Sequence, residues 1–229
     1  MTSHNKILQI FNSRKNILEI LGTTLNYASS DYEGFNINEV DAMYATDQLD
    51  MLLQKEDANT DVSKVYVNYF LKGNLTDSSL RPIIEDLFQL SDTLSTNDTL
   101  IIIYDGEPTE SLQSSLDHLY KKDKIFVVVL NIKRLQFNIL DHFLVPSMRI
   151  LSQTESDHLF QQYNISNPSQ MPSISRYDPQ ALVMCMRPGQ VCKITRKSPT
   201  SLNSTYYRIC KTQHGNTHST KTNTPTNLL

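Results

Sequence analysis

The chain has 229 residues, of which 39% are hydrophobic and 20% charged, and its formal net charge is −3. These proportions are ordinary for a soluble globular protein, and the length accommodates one large or two small domains. No apolar run approaches the roughly 20 residues that a bilayer-spanning helix needs, and the amino-terminal residues lack the layout of a signal peptide. We therefore expect an intracellular protein.

Charge is distributed unevenly along the chain. Residues 1–138 carry 12 basic and 20 acidic residues, whereas residues 139–210 carry seven basic and four acidic ones. An acidic first part is a poor stand-alone DNA binder, because affinity for DNA comes mostly from neutralising phosphates. The basic second part suits either an acidic protein partner or a phosphate backbone.

The first part alternates helical and strand patterns. Apolar residues at helical spacing predict helices, and alternating or continuous short apolar runs predict strands. This order favours a small parallel or mixed sheet with helices packed against it, an α/β domain over 1–138. In chain order we predict helices at 5–21 and 39–54, a strand at 64–71, a helix at 76–90, a strand at 99–104, a loop and helix at 106–120, and a strand at 125–131.

The second part has a different character. An extended segment surrounds Pro146, and Ser152 and Glu155 have capping-box spacing, which predicts a helix that ends near Tyr163. Residues 191–196 and 205–210 have strand composition and predict a β-hairpin. We therefore expect a small α+β domain over 139–210. Residues 211–229 form a Thr/Asn-rich tail with almost nothing to bury, predicted to be disordered or ordered by a partner.

Ligand-binding and catalytic motifs are weak. Cys185, Cys192 and Cys210 form no C-x-x-C pair and are odd in number, which argues against a disulfide framework and against a zinc site. The loops after the predicted strands lack a phosphate-binding glycine pattern. The sequence thus predicts no cofactor, no metal and no small-molecule ligand.

Asp105 and Glu107 raise one enzymatic alternative. They lie two residues apart at the end of a predicted strand, where a metal-dependent nuclease carries carboxylates, but no Lys follows Glu107. A solvated turn is the simpler interpretation. A nuclease-like α/β enzyme is kept as an alternative function.

The stretch 187–208 is the most basic part of the chain. Gly189, Lys193 and Thr195 have a faint likeness to a phosphate-binding loop, but such a loop enters a helix amino terminus, and here a strand follows. Lys193 and Arg196 are predicted on opposite faces of a strand, so the charges do not form one stripe. Solvated or interface charges are favoured over a nucleic-acid-reading surface.

An ordered set of short elements over about 70 residues resembles a known family. The set comprises His142 with Leu144-Val145-Pro146, Met171-Pro172, Asp178-Pro179, Pro188-Gly189, Lys193-Ile194, Arg196-x-Ser198 and Tyr207-Arg208. It is similar to the carboxy-terminal assembly module of the fifth-largest subunit of nuclear DNA-dependent RNA polymerases, whose archaeal counterpart consists of that module alone. The first part resembles, less specifically, the eukaryotic-type jaw module.

The resemblance implies sites but also shows departures. The loop that lies near downstream DNA in the family corresponds to Pro108, Thr109 and Ser111, and the acids Glu107 and Glu110 there argue against a direct phosphate contact. Met148 stands where the family usually has a His. The departures taken together suit a viral or protist polymerase. The implied partner-subunit interface comprises His142, Leu144, Val145, Pro146, Asp178, Pro179, Gly189, Lys193, Arg196, Ser198, Thr200, Tyr207 and Arg208.

By resemblance the expected function is that of a non-catalytic subunit of a multisubunit DNA-directed RNA polymerase. It would dock on the largest subunit, contact other subunits, and form part of the lower jaw, touching duplex DNA weakly and only within the complex. No membrane partner is expected. The expected location is the nucleus for a eukaryotic protein, or a virion or cytoplasmic viral factory for a viral one. A second alternative is a free transcription regulatory factor that carries the same module.

Overall fold

A computed structural model describes residues 3–55, 63–198 and 200–212. The predicted tail begins one residue too early, because Lys211 is the last residue of a strand that pairs with Ser175. The remainder of the predicted tail, from residue 213, lies outside the described residues. Within the described ranges, no helix is long and apolar enough to cross a membrane.

The described residues form six α-helices and eight strands. Helices α1 and α3 each continue into a short π-helical turn, over Ile20–Thr24 and Asp86–Leu90. The helices are α1 (Ser3–Glu19), α2 (Ile37–Ala45), α3 (Asp77–Glu85), α4 (Glu110–Asp123), α5 (Gln153–Gln162) and α6 (Pro179–Val183); the strands are β1 (Met51–Gln54), β2 (Lys64–Phe70), β3 (Thr99–Tyr104), β4 (Phe126–Asn131), β5 (Ser147–Ile150), β6 (Ser173–Ser175), β7 (Val191–Arg196) and β8 (Ser204–Lys211).

The first sheet has the strand order β1-β2-β3-β4. β1 is antiparallel to β2, whereas β2, β3 and β4 are mutually parallel, so the predicted mixed sheet is confirmed. Successive side chains of β3 enter different apolar clusters, because a strand alternates its faces. Ile101 packs with residues of α1 and α2, and Ile102 packs with residues of α3 and α4. Helices thus cover both faces, as continuous apolar strands require.

The predicted helix at 39–54 is wrong in its second half. Helix α2 ends at Ala45, and Asp47 adopts a left-handed conformation with φ of 55°. Met51 and Leu53 then alternate into the core as the edge strand β1. Because β1 has only four residues, its strand alternation is too short to be recognised in the sequence. The helical spacing of the residues before it was therefore extended through β1.

The second sheet has the strand order β5-β7-β8-β6 and contains the predicted hairpin, β7–β8. Its two faces support separate apolar clusters. Val191 and Ile209 pack with residues around α5, whereas Cys192 and Cys210 pack with residues around α6. The chain is therefore mixed α/β with two small sheets, and the predicted boundary between residues 138 and 139 stays a prediction.

A buried arginine joins the second sheet to the first. Arg176 follows β6, and its side chain is only 2% exposed. Its guanidinium lies 3.1 Å from an Asp117 carboxylate oxygen on α4 and donates to the Val127 carbonyl at 2.8 Å. The Tyr177 hydroxyl also donates to Asp117 at 2.8 Å. These contacts compensate a charge that would otherwise be costly to bury.

A second arginine strengthens the same junction. Arg187 donates to the Asp98 carbonyl at 2.9 Å, at the start of β3. The guanidinium groups of Arg176 and Arg187 each lie 5.2 Å from the centroid of the Phe126 ring on β4, within cation–π range. One aromatic side chain of the first sheet is therefore shared by two cations of the second part.

Removal of one ion-pair partner at this junction is predicted to be costly. Arg176→Leu leaves Asp117 buried and without its cation, and we expect it to lower the free energy of unfolding by roughly 3–5 kcal/mol in urea denaturation. The double variant with Asp117→Leu should recover most of that loss, because no lone charge remains. As a control, Lys72→Ala breaks an ion pair whose side chains are 70% and 68% exposed, and should cost less than about 1 kcal/mol. Equal losses for Arg176→Leu and Lys72→Ala would contradict this account.

Candidate partner-binding surface

The loop before β5 presents two apolar side chains to solvent. Phe143 is 90% exposed and Leu144 is 78% exposed. The loop itself is held in place: the Leu144 and Val145 amides donate to His142 Nδ1 at 3.2 Å and to the His142 carbonyl at 2.9 Å. The Gln180 side chain donates to the Pro146 carbonyl at 2.7 Å. The exposed side chains therefore stand on a defined turn.

The hairpin register separates its basic residues by face. Lys193 pairs with Tyr207, and Arg196 pairs with Ser204, so the prediction that Lys193 and Arg196 lie on opposite faces is confirmed. The Arg196 guanidinium lies 4.4 Å from the Tyr206 ring centroid and donates to the Tyr206 hydroxyl at 3.0 Å. Hydrogen bonds involving Ser204 and Arg196 lower the pKa of Tyr206. Arg196 is thus positioned by an aromatic neighbour while remaining exposed.

A polar groove lies between α5 and the second sheet. Its volume is about 330 Å³, and its lining includes Arg149, Glu155, His158, Lys193 and Tyr207. Arg149 and Glu155 form an exposed ion pair at 2.9 Å. The hydrogen bonds from Arg149 and from the Ser152 amide lower the pKa of Glu155 from its ordinary 4.5 to about 2.

Other predicted interface residues serve the fold. Asp178 accepts a hydrogen bond from the Gln180 amide at 3.0 Å and, with Pro179, begins α6. Gly189 has φ of 94°, a conformation that favours glycine, and its amide donates to the Cys210 carbonyl at 2.9 Å. Gly189 therefore lies at the end of the hairpin opposite Arg196.

The remaining predicted interface residues belong to the hairpin. The Arg208 side chain donates to the Ser173 carbonyl at 3.0 Å, which fastens β8 to β6. The hydroxyls of Ser198 and Thr200 lie 3.3 Å apart in the connection between β7 and β8. The structure thus brings His142–Pro146, Arg196, Ser198 and Thr200 to one end of the second sheet.

Exposed apolar side chains are concentrated in residues 137–210, and the sequence analysis identified only Leu144 among them, through the family resemblance. The structure describes eight large hydrophobic side chains as exposed, and six of them fall in 137–210, which is a third of the chain. Such a concentration is typical of an interaction surface. Composition could not identify them, because a Phe or Leu in a sequence is more often buried. The six are Phe137, Phe143, Leu144, Tyr163, Leu202 and Tyr206.

The carboxylates considered for metal chemistry are already paired. Asp105 lies 3.0 Å from Lys133, and Glu107 lies 3.1 Å from Arg134 and accepts from Asn131 at 2.9 Å. Among the described residues, no three His, Cys, Asp or Glu side chains group so as to hold a metal ion. A bound cation would have to compete with two basic side chains, which weakens the nuclease interpretation.

The predicted DNA-proximal loop caps a helix. The Thr109 hydroxyl accepts from the Leu112 amide at 3.3 Å and begins α4, and it lies 3.0 Å from the Ser111 hydroxyl. Pro108 is half-buried, whereas Thr109 and Ser111 are exposed. The loop is accessible, but its hydroxyls also have local roles.

Comparison with known proteins identifies the second part. The family model described as RNA polymerase Rpb5, C-terminal domain, matches residues 137–210. The DNA-directed RNA polymerase subunit Rpo5 of Thermococcus kodakarensis is 46% identical over 74 residues, which covers 32% of this chain and 89% of that protein. The chain belongs to the Rpb5 family of RNA polymerase subunits.

Two further Rpb5-family relatives show the same coverage. Rpo5 of Nitrosopumilus maritimus is 41% identical over 76 residues, 33% of this chain and 90% of the relative. Rpo5 of Archaeoglobus fulgidus is 39% identical over 75 residues, 33% of this chain and 97% of the relative. The resemblance of the second part to the family's carboxy-terminal module is confirmed, and what these relatives share with the chain is its second sheet with α5, α6 and their loops. The resemblance of the first part to the jaw module stays a prediction.

The lowered pKa of Glu155 allows a test of its ion pair with Arg149, which lies in the groove between α5 and the second sheet. Because the folded pKa lies below the unfolded value, the carboxylate favours folding above about pH 4.5, and this effect is lost as the pH falls towards 2. Titration of the Glu155 carboxyl carbon by NMR should give a midpoint near 2, and Arg149→Gln should move it towards 4.5. Arg208→Gln is the control. It removes an exposed cation that donates to the Ser173 carbonyl, and it should leave the Glu155 midpoint unchanged. A wild-type midpoint near 4.5 would be inconsistent with the ion pair.

Proposed function

We propose that the chain is a non-catalytic subunit of a multisubunit DNA-directed RNA polymerase and docks on the largest subunit through residues 137–210. The coverage of the relatives supports this most directly. The Rpo5 proteins are named as polymerase subunits, and this segment corresponds to 89–97% of their length in the three cases above. A subunit that consists almost wholly of this segment has to join its polymerase through it.

The distribution of exposed apolar side chains supports the same placement. Six of the eight described side chains of this kind lie in 137–210, and a stable protein interface needs such residues at its centre. The basic excess of residues 139–210 suits an acidic partner surface. The proposed docking surface therefore has both apolar and electrostatic components.

A non-catalytic role agrees with the chemistry of the described residues. Asp105 and Glu107 are paired with Lys133 and Arg134. Burial raises the pKa of the Cys210 thiol to about 12, so this cysteine is scarcely ionised at neutral pH. We assign the phosphodiester chemistry to the large polymerase subunits.

The first part is proposed to form part of the lower jaw beside downstream DNA. Thr109 and Ser111 are exposed at the amino terminus of α4, and a helix amino terminus favours a phosphate. Glu110 opposes such a contact, and the charge of Glu107 is offset by Arg134. Because favourable and unfavourable groups are both present, we expect α4 to contact DNA only weakly and only within the assembled enzyme. The protein would work wherever its polymerase transcribes, in the nucleus or in a viral factory.

Co-purification tests membership of the enzyme. A tagged full chain should recover both large polymerase subunits in near-stoichiometric amounts through high-salt washes, as measured by quantitative mass spectrometry. Arg196→Glu should lower incorporation severalfold while the isolated variant keeps its circular dichroism spectrum, because Arg196 is exposed on the hairpin. The control is Lys122→Glu, an equal charge reversal at an exposed position of α4, which should leave incorporation unchanged. Recovery of the tagged chain without the large subunits would favour the free regulatory factor.

Photo-crosslinking tests the jaw placement separately. A photoreactive residue at Ser111 should crosslink to downstream duplex in transcription complexes, and not to the same duplex mixed with the isolated chain. The same residue at Gln161, exposed on α5, is the control. An absence of crosslinks from Ser111 in active complexes would reject the jaw placement and leave the docking proposal intact.

A further inference from the structure

Strand register brings two separate loops to one end of the second sheet. Ser147, the first residue of β5, pairs with Thr195, next to the last residue of β7. The loop before β5 and the turn that joins β7 to β8 therefore lie at the same end of the sheet. We call this the apolar end and define it by Phe143, Leu144 and Leu202.

Two polar contacts with the first sheet lie at the other end of the second sheet. The Arg176 amide donates to the Lys211 carbonyl at 3.0 Å, at the opposite end of β8 from its first residue, Ser204. Arg187, which precedes β7, contacts the first sheet at Asp98. The junction with the first sheet thus occupies one end of the second sheet, and the apolar end occupies the other.

Exposure at the apolar end is unusually high. Leu202 is 92% exposed, and Phe143 and Leu144 in the other loop are also exposed. Exposed side chains scattered singly need no explanation, but three from two loops at one end of a small sheet form a patch. The described residues of the β7–β8 connection form local hydrogen bonds: the Ser198 amide donates to the Ser201 carbonyl at 3.1 Å, and the Ser201 hydroxyl donates to the Asn203 carbonyl at 3.0 Å. An ordered patch loses less entropy on binding.

Cations border the patch. Arg196 and Lys197 follow one another at the end of β7 and are exposed. Neither forms an ion pair with an acidic side chain among the residues that the structure describes; Arg196 contacts the Tyr206 ring and hydroxyl instead. Because these two cations have no acidic partner among the described residues, a protein that binds at this end is expected to carry acidic groups beside them.

We propose that the apolar end inserts into an apolar pocket on a partner polymerase subunit, and that carboxylates at the pocket rim meet Arg196 and Lys197. This inference rests on the proposed function and adds the chemistry of the receiving surface. Convex loops bearing Phe143 and Leu202 fit a concave apolar site. A second copy of the chain would, in a two-fold contact, bring like charges together. Nucleic acid is a less suitable occupant, because its phosphates bind cations and the centre of this end consists of Phe and Leu side chains.

Competition for assembly tests this inference. Wild-type chain and a variant would be co-expressed, and their ratio in purified polymerase measured by mass spectrometry of the peptides that carry the substitution. Phe143→Ser and Leu202→Ser should each be under-represented by about tenfold or more, the size expected for an interface anchor. Leu90→Ser is the matched control, because Leu90 is 79% exposed but lies in the first part. Circular dichroism of each isolated chain would confirm an unchanged fold.

The charged rim has its own readout. Arg196→Gln should lower incorporation less than Arg196→Glu, since reversal adds repulsion to the loss of attraction. Equal incorporation of both variants and the wild type would reject the proposal that carboxylates of the partner meet Arg196.

The outcomes separate this inference from the proposed function. Failure of the wild-type chain to co-purify with polymerase would reject the proposed function. Wild-type assembly with equal competition by Phe143→Ser and Leu202→Ser would reject the apolar end alone. Dimers of the isolated chain that Phe143→Ser dissociates would assign this end to self-association instead. Release of the chain from polymerase by nuclease treatment would assign it to nucleic acid.

Discussion

The buried ion pair between Arg176 and Asp117 fixes how the second sheet stands on the first. A buried charge is tolerated only beside its counter-charge, so the guanidinium holds α4 and β6 in one relative position. The Phe126 ring, within cation–π distance of both Arg176 and Arg187, adds a cation–π contact at the same place. One end of the second sheet forms this junction, and the loops at the opposite end expose Phe143 and Leu202. The arrangement of the proposed docking surface therefore depends on an interaction that does not itself touch a partner.

Helices cover part of each face of the second sheet. Helix α5 packs on the face of Val191, and α6 packs on the face of Cys192. The loops at the end of the sheet expose the apolar side chains of Phe143 and Leu202. The same division explains why Asp178 and Gly189 serve the fold while Arg196 is exposed.

Sequence patterns were informative where a single element carried its own signal. The apolar runs of β3 and β4, the capping box at Ser152 and the hairpin were all predicted, because period and capping are local properties. The short β1, β6 and α6 were missed, although the Asp178-Pro179 pair is a helix-start signal that could have located α6. The pairing of Arg176 with Asp117 spans 59 residues and leaves no local trace. Nor can a sequence distinguish an exposed Phe143 from a core one without strand register.

Hydrogen–deuterium exchange, compared between the isolated full chain and the same chain within purified polymerase, tests the central claim most directly. If the chain is held by the apolar end of its second sheet, amides of residues 142–145 and 200–204 should exchange much more slowly in the polymerase. Amides of α2, on the far side of the first sheet from α4, should exchange at similar rates in both states. Unchanged exchange at 142–145 and 200–204, together with new protection elsewhere in the described chain, would contradict the account.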